Sequence, residues 1–318
     1  MNYTLKLLYT IVALTFFQFY ACAQNNNQLK TIIVDAGHGG EDHGATGDYS
    51  KSLRSKEKDI TLAISLKLVT ILKEKFPELN IVPTRTTDIY QTVTEKAKIA
   101  NENKGDLFLC IHADYGPTQS ERKQVGTETV KRYKVSYTGT GKKRQKTTTV
   151  YYVDVPKYVY YKKPLLRNGT SVWIFAAHKT SEKLKAIMLE TGQNESEFQI
   201  ESTSDTSNIE QINFNTPEGK SIAQVYAKRY QEKSELLARL VNTEVEKTNR
   251  PALGVNQRQI GIWVLQATKM PSILIETGFI NNPEDEVYLN SESGQTELAN
   301  SIAQAVLNYK ELLEKKVN

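Results

Sequence analysis

Lys30-Thr31-Ile32-Ile33-Val34-Asp35-Ala36-Gly37-His38 decides the fold. Ile32, Ile33 and Val34 are consecutive, so both faces of the segment are apolar, which predicts a strand buried on both sides. A glycine-rich loop runs from Gly37 to Gly47. Glu57 to Phe76 then carries Ile60, Ala63, Ile64, Leu68, Ile71 and Leu72 at helical spacing, and Pro77 stops it. Outward from this unit the pattern repeats. Asn80 to Thr84 reads as a short strand, Thr94 to Asn103 as a helix broken by Gly105, and Asp106 to His112 as a second buried strand. Ser171 to Ala177, Ile260 to Leu265 and Ser272 to Ile275 complete the expected strands. Thr216-Pro217 resembles a helix start, with a capping Thr and Pro at the first helical position, and a break in that helix is expected near Ser234. Thr296 to Leu313 forms a final helix, and no appended repeat is expected after it. Alternating strands and helices predict α/β architecture: a single domain over residues 29–316, with a mostly parallel or mixed sheet of about six strands flanked by helices.

The bulk properties narrow the class. At 39% hydrophobic and 24% charged, the chain has the balance of a soluble globular protein. A net charge of +5 over 318 residues tolerates an anionic polymer partner without requiring one. No nucleic-acid motif appears, so no nucleic-acid partner is expected. At the N-terminus, Lys6 precedes an apolar run from Leu7 to Tyr20 that is too short to span a membrane but suits a secretory signal. Ala21-Cys22-Ala23 offers small residues for cleavage before Gln24. The alternative is lipoprotein processing with acylated Cys22, which Phe19 and Tyr20 fit poorly. Either route exports the chain to the periplasm or cell envelope, with no transmembrane span in the mature protein. Cys110 then has no disulfide partner and reads as a small buried hydrophobe.

Two stretches resemble insertions: about 116–168 and about 192–215. In the first, Val130 to Lys163 alternates Tyr133, Val135 and Tyr137, then Tyr151, Val153 and Val155, around a Lys-rich turn, which predicts a β-hairpin. The second, Gly192 to Asn215, is polar and reads as a mobile loop.

Four histidines are present: His38, His43, His112 and His178. His38 and His112 end buried strands, and groups at the carboxyl ends of strands collect at the ligand crevice of an open α/β sheet. Two imidazoles there are natural zinc ligands. Glu57, at the start of the first long helix, is the carboxylate best placed as a third, and its charge suits the helix dipole. The strand Ile273-Leu274-Ile275 delivers Glu276, a carboxylate placed to accept and return a proton. Taken singly, each has a structural alternative: a hydrogen-bonded strand-end histidine, a first-turn helix carboxylate, or a solvated glutamate.

Four motifs in order resemble those of the zinc-dependent N-acetylmuramoyl-L-alanine amidases. They are Ile33 to Gly40 with Gly44-Ala45, Glu57 to Leu62, Asp106 to Ala113, and Pro271 to Asn282. Thr84-Arg85 with Asp88, and Ala100-Asn101, also fit. The resemblance implies one Zn²⁺ per chain on His38, Glu57 and His112, Glu276 as the catalytic carboxylate, and peptidoglycan as substrate. It also points to Arg85, Asp114, His43 and Asn281 as residues around the substrate or the ligands. Cys110 stands where the family usually has Ser, Asp114 where it has Asn, His43 where Pro is common, and Lys96 or Lys98 near a common Arg. Some relatives use an insertion between the third and last motifs as a regulatory element displaced by an activator protein, so such a partner is an expectation here. The alternatives are another zinc-dependent wall peptidase and a non-catalytic peptidoglycan-binding protein.

Overall fold

The structure, a computed structural model, describes residues 29–176, 217–258 and 262–315. The expected signal segment, His178, the loop 192–215 and Thr216 lie outside the described residues.

Among the described residues six strands form one mixed sheet in the order β2-β1-β3-β8-β6-β7. They are β1 (Thr31–Ala36), β2 (Asn80–Pro83), β3 (Leu107–Asp114), β6 (Thr170–Phe175), β7 (Ala252–Arg258) and β8 (Ser272–Phe279). The first four in that order are mutually parallel; β6 is antiparallel to β8 and parallel to β7. The helices are α1 (Glu57–Lys75), α2 (Val93–Glu102), α3 (Pro217–Glu246), α4 (Trp263–Ala267), α5 (Pro283–Asn290) and α6 (Glu292–Lys315). Between β3 and β6 the chain leaves the sheet as a separate two-stranded hairpin, β4 (Ser120–Thr138) with β5 (Gln145–Lys162).

The uninterrupted apolar strands are explained by what covers them. Ile32, Val34, Leu109, Ile111, Ile273 and Ile275 pack with α1, α3 and α6, whereas Ile33, Phe108, Cys110 and Leu274 face α2 and α4. Both faces of the central strands are therefore largely apolar, and the buried Asp35 among them is paired with Lys96. Truncating one of these buried Ile or Leu side chains to Ala costs about 2–5 kcal/mol, because the close-packed surroundings relax only in part. The capping box at α2 is complete: Thr92 accepts from the Glu95 amide, and Glu95 accepts from the Thr92 amide.

Three expectations need correction. Trp263 to Ala267 is a short helix, and the strand in this region is Ala252–Arg258 instead. Short apolar runs read alike as strand or buried helix, and the true strand, at the sheet edge, is too polar to stand out. The helix α3 runs through Ser234 without a break. Ser234 Oγ donates back to the Tyr230 carbonyl and accepts from the Ser272 amide, so the hydroxyl ties the helix to β8 rather than ending it. The hairpin begins at Ser120, ten residues before the expected Val130.

Candidate functional site

Strands β1, β3 and β8 run in one direction, so their carboxyl ends open on one sheet edge. His38 leaves β1, His112 lies near the end of β3, and Glu276 is the register partner of His112 in β8. The loop after β1 turns back to supply Glu57 as the first residue of α1.

This turn explains the local sequence. His38 has φ +58°, a left-handed conformation held by the residues around it. A Cβ on Gly37 would stand 2.6 Å from the His112 ring, and one on Gly44 would stand 2.5 Å from Glu57 Oε2 and 2.6 Å from the His38 ring. The glycines keep open the space into which two imidazoles and a carboxylate converge.

The convergence is close. Glu57 Oε1 is 2.8 Å from His112 Nδ1 and accepts from the Ala113 amide; Oε2 is 3.1 Å from His38 Nε2 and accepts from the Ala45 amide. The two imidazole rings meet edge to face, 5.0 Å between centroids. One donor atom from each of His38, Glu57 and His112 lies within 4.8 Å of the others, the one such group of three among the described residues. Two nitrogens and one carboxylate oxygen form a donor set suited to a divalent ion with a fourth position open.

Charge in the site follows burial and neighbours. Burial disfavours the Glu57 carboxylate, yet hydrogen bonds and charge from His112 and His38 hold its pKa well below the ordinary range. Burial likewise lowers His38, but Glu57 and Asp42 outweigh it and raise the imidazole to about 8. Asp42 Oδ2 stands 2.8 Å from His38 Nδ1. Sequence reasoning missed Asp42. Its one signal is a carboxylate four residues after the histidine in a glycine-rich turn. Carboxylates that hold the second ring nitrogen of a ligating histidine orient the ring.

Glu276 is the exception to this pairing. Burial, with the negative charges of Asp114 and Glu57, raises its pKa to about 7 against the opposing pull of His112 and Arg258. Among the described residues its Oε1 has only a long 3.5 Å contact with Arg258 Nη1, and its buried Oε2 has no hydrogen-bond partner. A buried acceptor without a donor is uncommon in a folded protein and marks a place where a ligand or substrate donor belongs. Sequence reasoning also missed Arg258.

The remaining expected residues fall around this core in different roles. Arg85 is buried behind the site, donating to the carbonyls of Ala36, Gly37 and Lys58. It braces the main chain that enters His38. Lys96 is buried beside it, donating to the Ala36 carbonyl and pairing with Asp35, to which the Cys110 thiol donates. Asp114 bears on Glu276 through its charge. His43 is exposed, and its contact with α1 is through its main-chain carbonyl, which accepts from the Lys58 amide. Asn281 is buried; its side chain exchanges two hydrogen bonds with the main chain of Gly116.

Comparison with known proteins agrees with this picture. The profile of the N-acetylmuramoyl-L-alanine amidases matches residues 32–308. N-acetylmuramoyl-L-alanine amidase AmiC of Escherichia coli O6:H1 is 26% identical over 281 residues, which cover 87% of this chain and 52% of AmiC. The probable amidase AmiB of Haemophilus influenzae is 24% identical over 284 residues, covering 88% of this chain and 52% of AmiB. The chain therefore spans about half the length of these relatives. A solved structure described as an N-acetylmuramoyl-L-alanine amidase from Clostridium difficile 630 shares the fold. Its TM-score is 0.51 at 21% identity, covering 89% of this chain and 98% of that one. Since the family profile spans nearly the whole described fold, from β1 into α6, this chain belongs to the N-acetylmuramoyl-L-alanine amidase family.

Proposed function

We propose that the chain hydrolyses the amide bond between N-acetylmuramic acid and the L-alanine of the stem peptide in peptidoglycan. In this reading His38, Glu57 and His112 hold one zinc ion. The observation that carries it is the buried, unpartnered Glu276 Oε2 beside the three-donor cluster, within a chain of this family.

The chemistry such an ion supplies when bound is Lewis acidity, which brings the pKa of a water to about 7 and polarises the scissile carbonyl. The chain's own residues handle the proton. Glu276 Oε2 accepts it from the attacking water and delivers it to the departing L-alanine nitrogen, so one carboxylate serves as base and then acid. Burial pushes its pKa up, to about 7 before an ion binds, and a carboxyl raised from the ordinary range returns a proton more readily near neutral pH. Asp42 keeps the His38 ring turned with Nε2 inward, and Arg85 holds the carbonyls on either side of the turn.

The reading includes export. The apolar run Leu7–Tyr20 behind Lys6 supports a cleaved signal, with Cys22 as the lipoprotein alternative, and so a cell-envelope location. Among the described residues no helix is long and apolar enough to cross a membrane. Wall remodelling or cell separation is the matching role.

Digestion of purified sacculi tests the reading, with products identified by mass spectrometry. Intact stem peptides beginning with free L-alanine are expected, and a chelator should abolish their release until zinc is restored. Products cut within the stem would make the protein a wall peptidase. Binding without any product would make it a non-catalytic wall protein.

A further inference from the structure

The hairpin β4–β5 contributes almost nothing to the core. Nearly all of its residues are exposed, and its 18-residue return strand reaches roughly 60 Å at about 3.4 Å per residue. An isolated two-stranded ribbon is marginal in water, and among the described residues no element covers the apolar side chains that this one carries in solvent.

Its composition is polarised. Residues 120–162 hold eleven Lys and Arg against three Asp and Glu, a net of +8, while the whole chain carries +5 and the remainder is therefore −3. The register sorts the side chains further, because paired residues share a face and alternate residues change face. Tyr133, Tyr137, Tyr152, Tyr158 and Tyr160 all fall on one face, and all are exposed. Cations are interleaved with the rings: the Arg122 guanidinium lies 4.6 Å from the Tyr158 ring centroid, Lys131 Nζ 5.4 Å from Tyr133, and Arg144 4.2 Å from Tyr137. A row of aromatic faces spaced by fixed cations matches a polymer of sugar rings bearing carboxylates. Pyranose C–H faces stack on the tyrosines, and the carboxylates meet the Lys and Arg. The open edges are less suited to adding a strand: Pro156 has no amide hydrogen, and a bulge shifts the register between Gln124 and Gly126.

The root of the hairpin is joined to the loop that carries the site. Lys162 Nζ donates to Asp48 and to the Tyr115 hydroxyl, and Tyr115 in turn donates to Asp48. Asp48 lies in the segment between His38 and Glu57.

We propose that the tyrosine face of the hairpin is an exosite for the anionic glycan–peptide strand of peptidoglycan, holding the polymer while the site at its root cleaves. This rests on the amidase reading for the identity of the polymer. The test uses the mature chain carrying Glu276→Gln, so that bound wall is not consumed. Co-sedimentation with purified sacculi compares it with a second form that also carries Tyr133→Ser, Tyr152→Ser and Tyr160→Ser, and with a third carrying Tyr151→Ser on the opposite face. The triple change should weaken sacculus binding at least tenfold and the opposite-face change less than twofold. Lys131→Gln with Lys146→Gln, all tyrosines kept, should weaken it and flatten its salt dependence. In the Glu276 background, a soluble muramoyl-peptide too short to reach the hairpin should be cut at an unchanged rate by the triple-Ser chain. Failure of the unaltered chain on that fragment would count against the amidase reading alone, because sedimentation does not depend on it. Undiminished sedimentation of the triple-Ser form, an equal loss from Tyr151→Ser, or equally tight binding to polyphosphate beads would overturn the exosite.

Discussion

Asp42 Oδ2 stands 2.8 Å from Nδ1 of His38, on the opposite side of the ring from Glu57. The carboxylate fixes which ring nitrogen points into the site. Asp42→Ala leaves the three donors in place but frees the imidazole to rotate. Zinc affinity should fall about 10- to 100-fold, the usual effect of losing such a partner. Competition against a chromogenic chelator measures it; unchanged affinity would mean that the left-handed turn at His38 alone orients the ring.

Metal uptake should depend on pH with a definite sign. Without metal, His38 titrates at about 8, so below that pH it carries a proton that a divalent ion must displace. Apparent affinity should therefore drop as pH falls below 8, by at most about tenfold per unit for the one proton. Calorimetry at pH 7 in two buffers of different ionisation enthalpy should show proton release. In Asp42→Ala the onset of the drop should move to lower pH, because one of the groups raising His38 is gone.

Glu276→Gln should lower turnover by about 10²- to 10⁴-fold while leaving zinc content at one per chain. The metal-free carboxylate titrates at about 7, and a nearby dication favours the ionised form, so the acid limb of kcat/KM should lie below pH 7. Arg258 lowers the Glu276 pKa, so Arg258→Gln should move that limb upward. A limb that moves downward or stays fixed would remove Arg258 from the electrostatics of the base.

The four central groups were legible in the sequence because each sits at the boundary of an unmistakable element. His112 follows an unbroken apolar run, His38 comes just after a buried strand, Glu57 opens a periodic helix, and Glu276 rides a buried strand. Asp42 was not legible, since its reach to His38 depends on a turn whose positive φ angles at His38, Gly39 and Gly40 no periodicity encodes. Arg258 was hidden because its strand is a partly polar sheet edge, overshadowed by the apolar residues that follow. Arg85 was named among the residues around the substrate or the ligands, without its role. Its motif says that it matters, whereas only the packing shows a buried guanidinium holding main-chain carbonyls.

Arg85→Leu should test that bracing role. The change removes the guanidinium's bonds to the carbonyls of Ala36, Gly37 and Lys58, leaving Ala36 to Lys96 and the other two to the Thr61 hydroxyl, and each hydrogen bond lost from a charged donor costs about 1.5–3 kcal/mol. Since the carbonyls can relax or admit water, a net loss of about 3 kcal/mol in unfolding free energy is expected. Denaturant unfolding reads it. A variant as stable as the parent, with KM raised instead, would return Arg85 to the substrate side.

Asn281 should act on stability through the stems of the hairpin. Its side chain accepts from the Gly116 amide and donates to the Gly116 carbonyl, and its own carbonyl accepts from the Leu165 amide. Asn282 adds a bond to the Leu165 carbonyl. Gly116 and Leu165 bracket the segment containing the hairpin, so Asn281 clasps the two stems where they leave the sheet. Asn281→Ala should destabilise the fold by about 2 kcal/mol, since it strips two buried hydrogen bonds from Gly116. Amide exchange should rise first at Gly116 and nearby stem amides, while zinc affinity stays within about twofold of the parent, because no metal-binding side chain depends on the clasp. Zinc loss as large as that of Asp42→Ala would place Asn281 in the metal site instead.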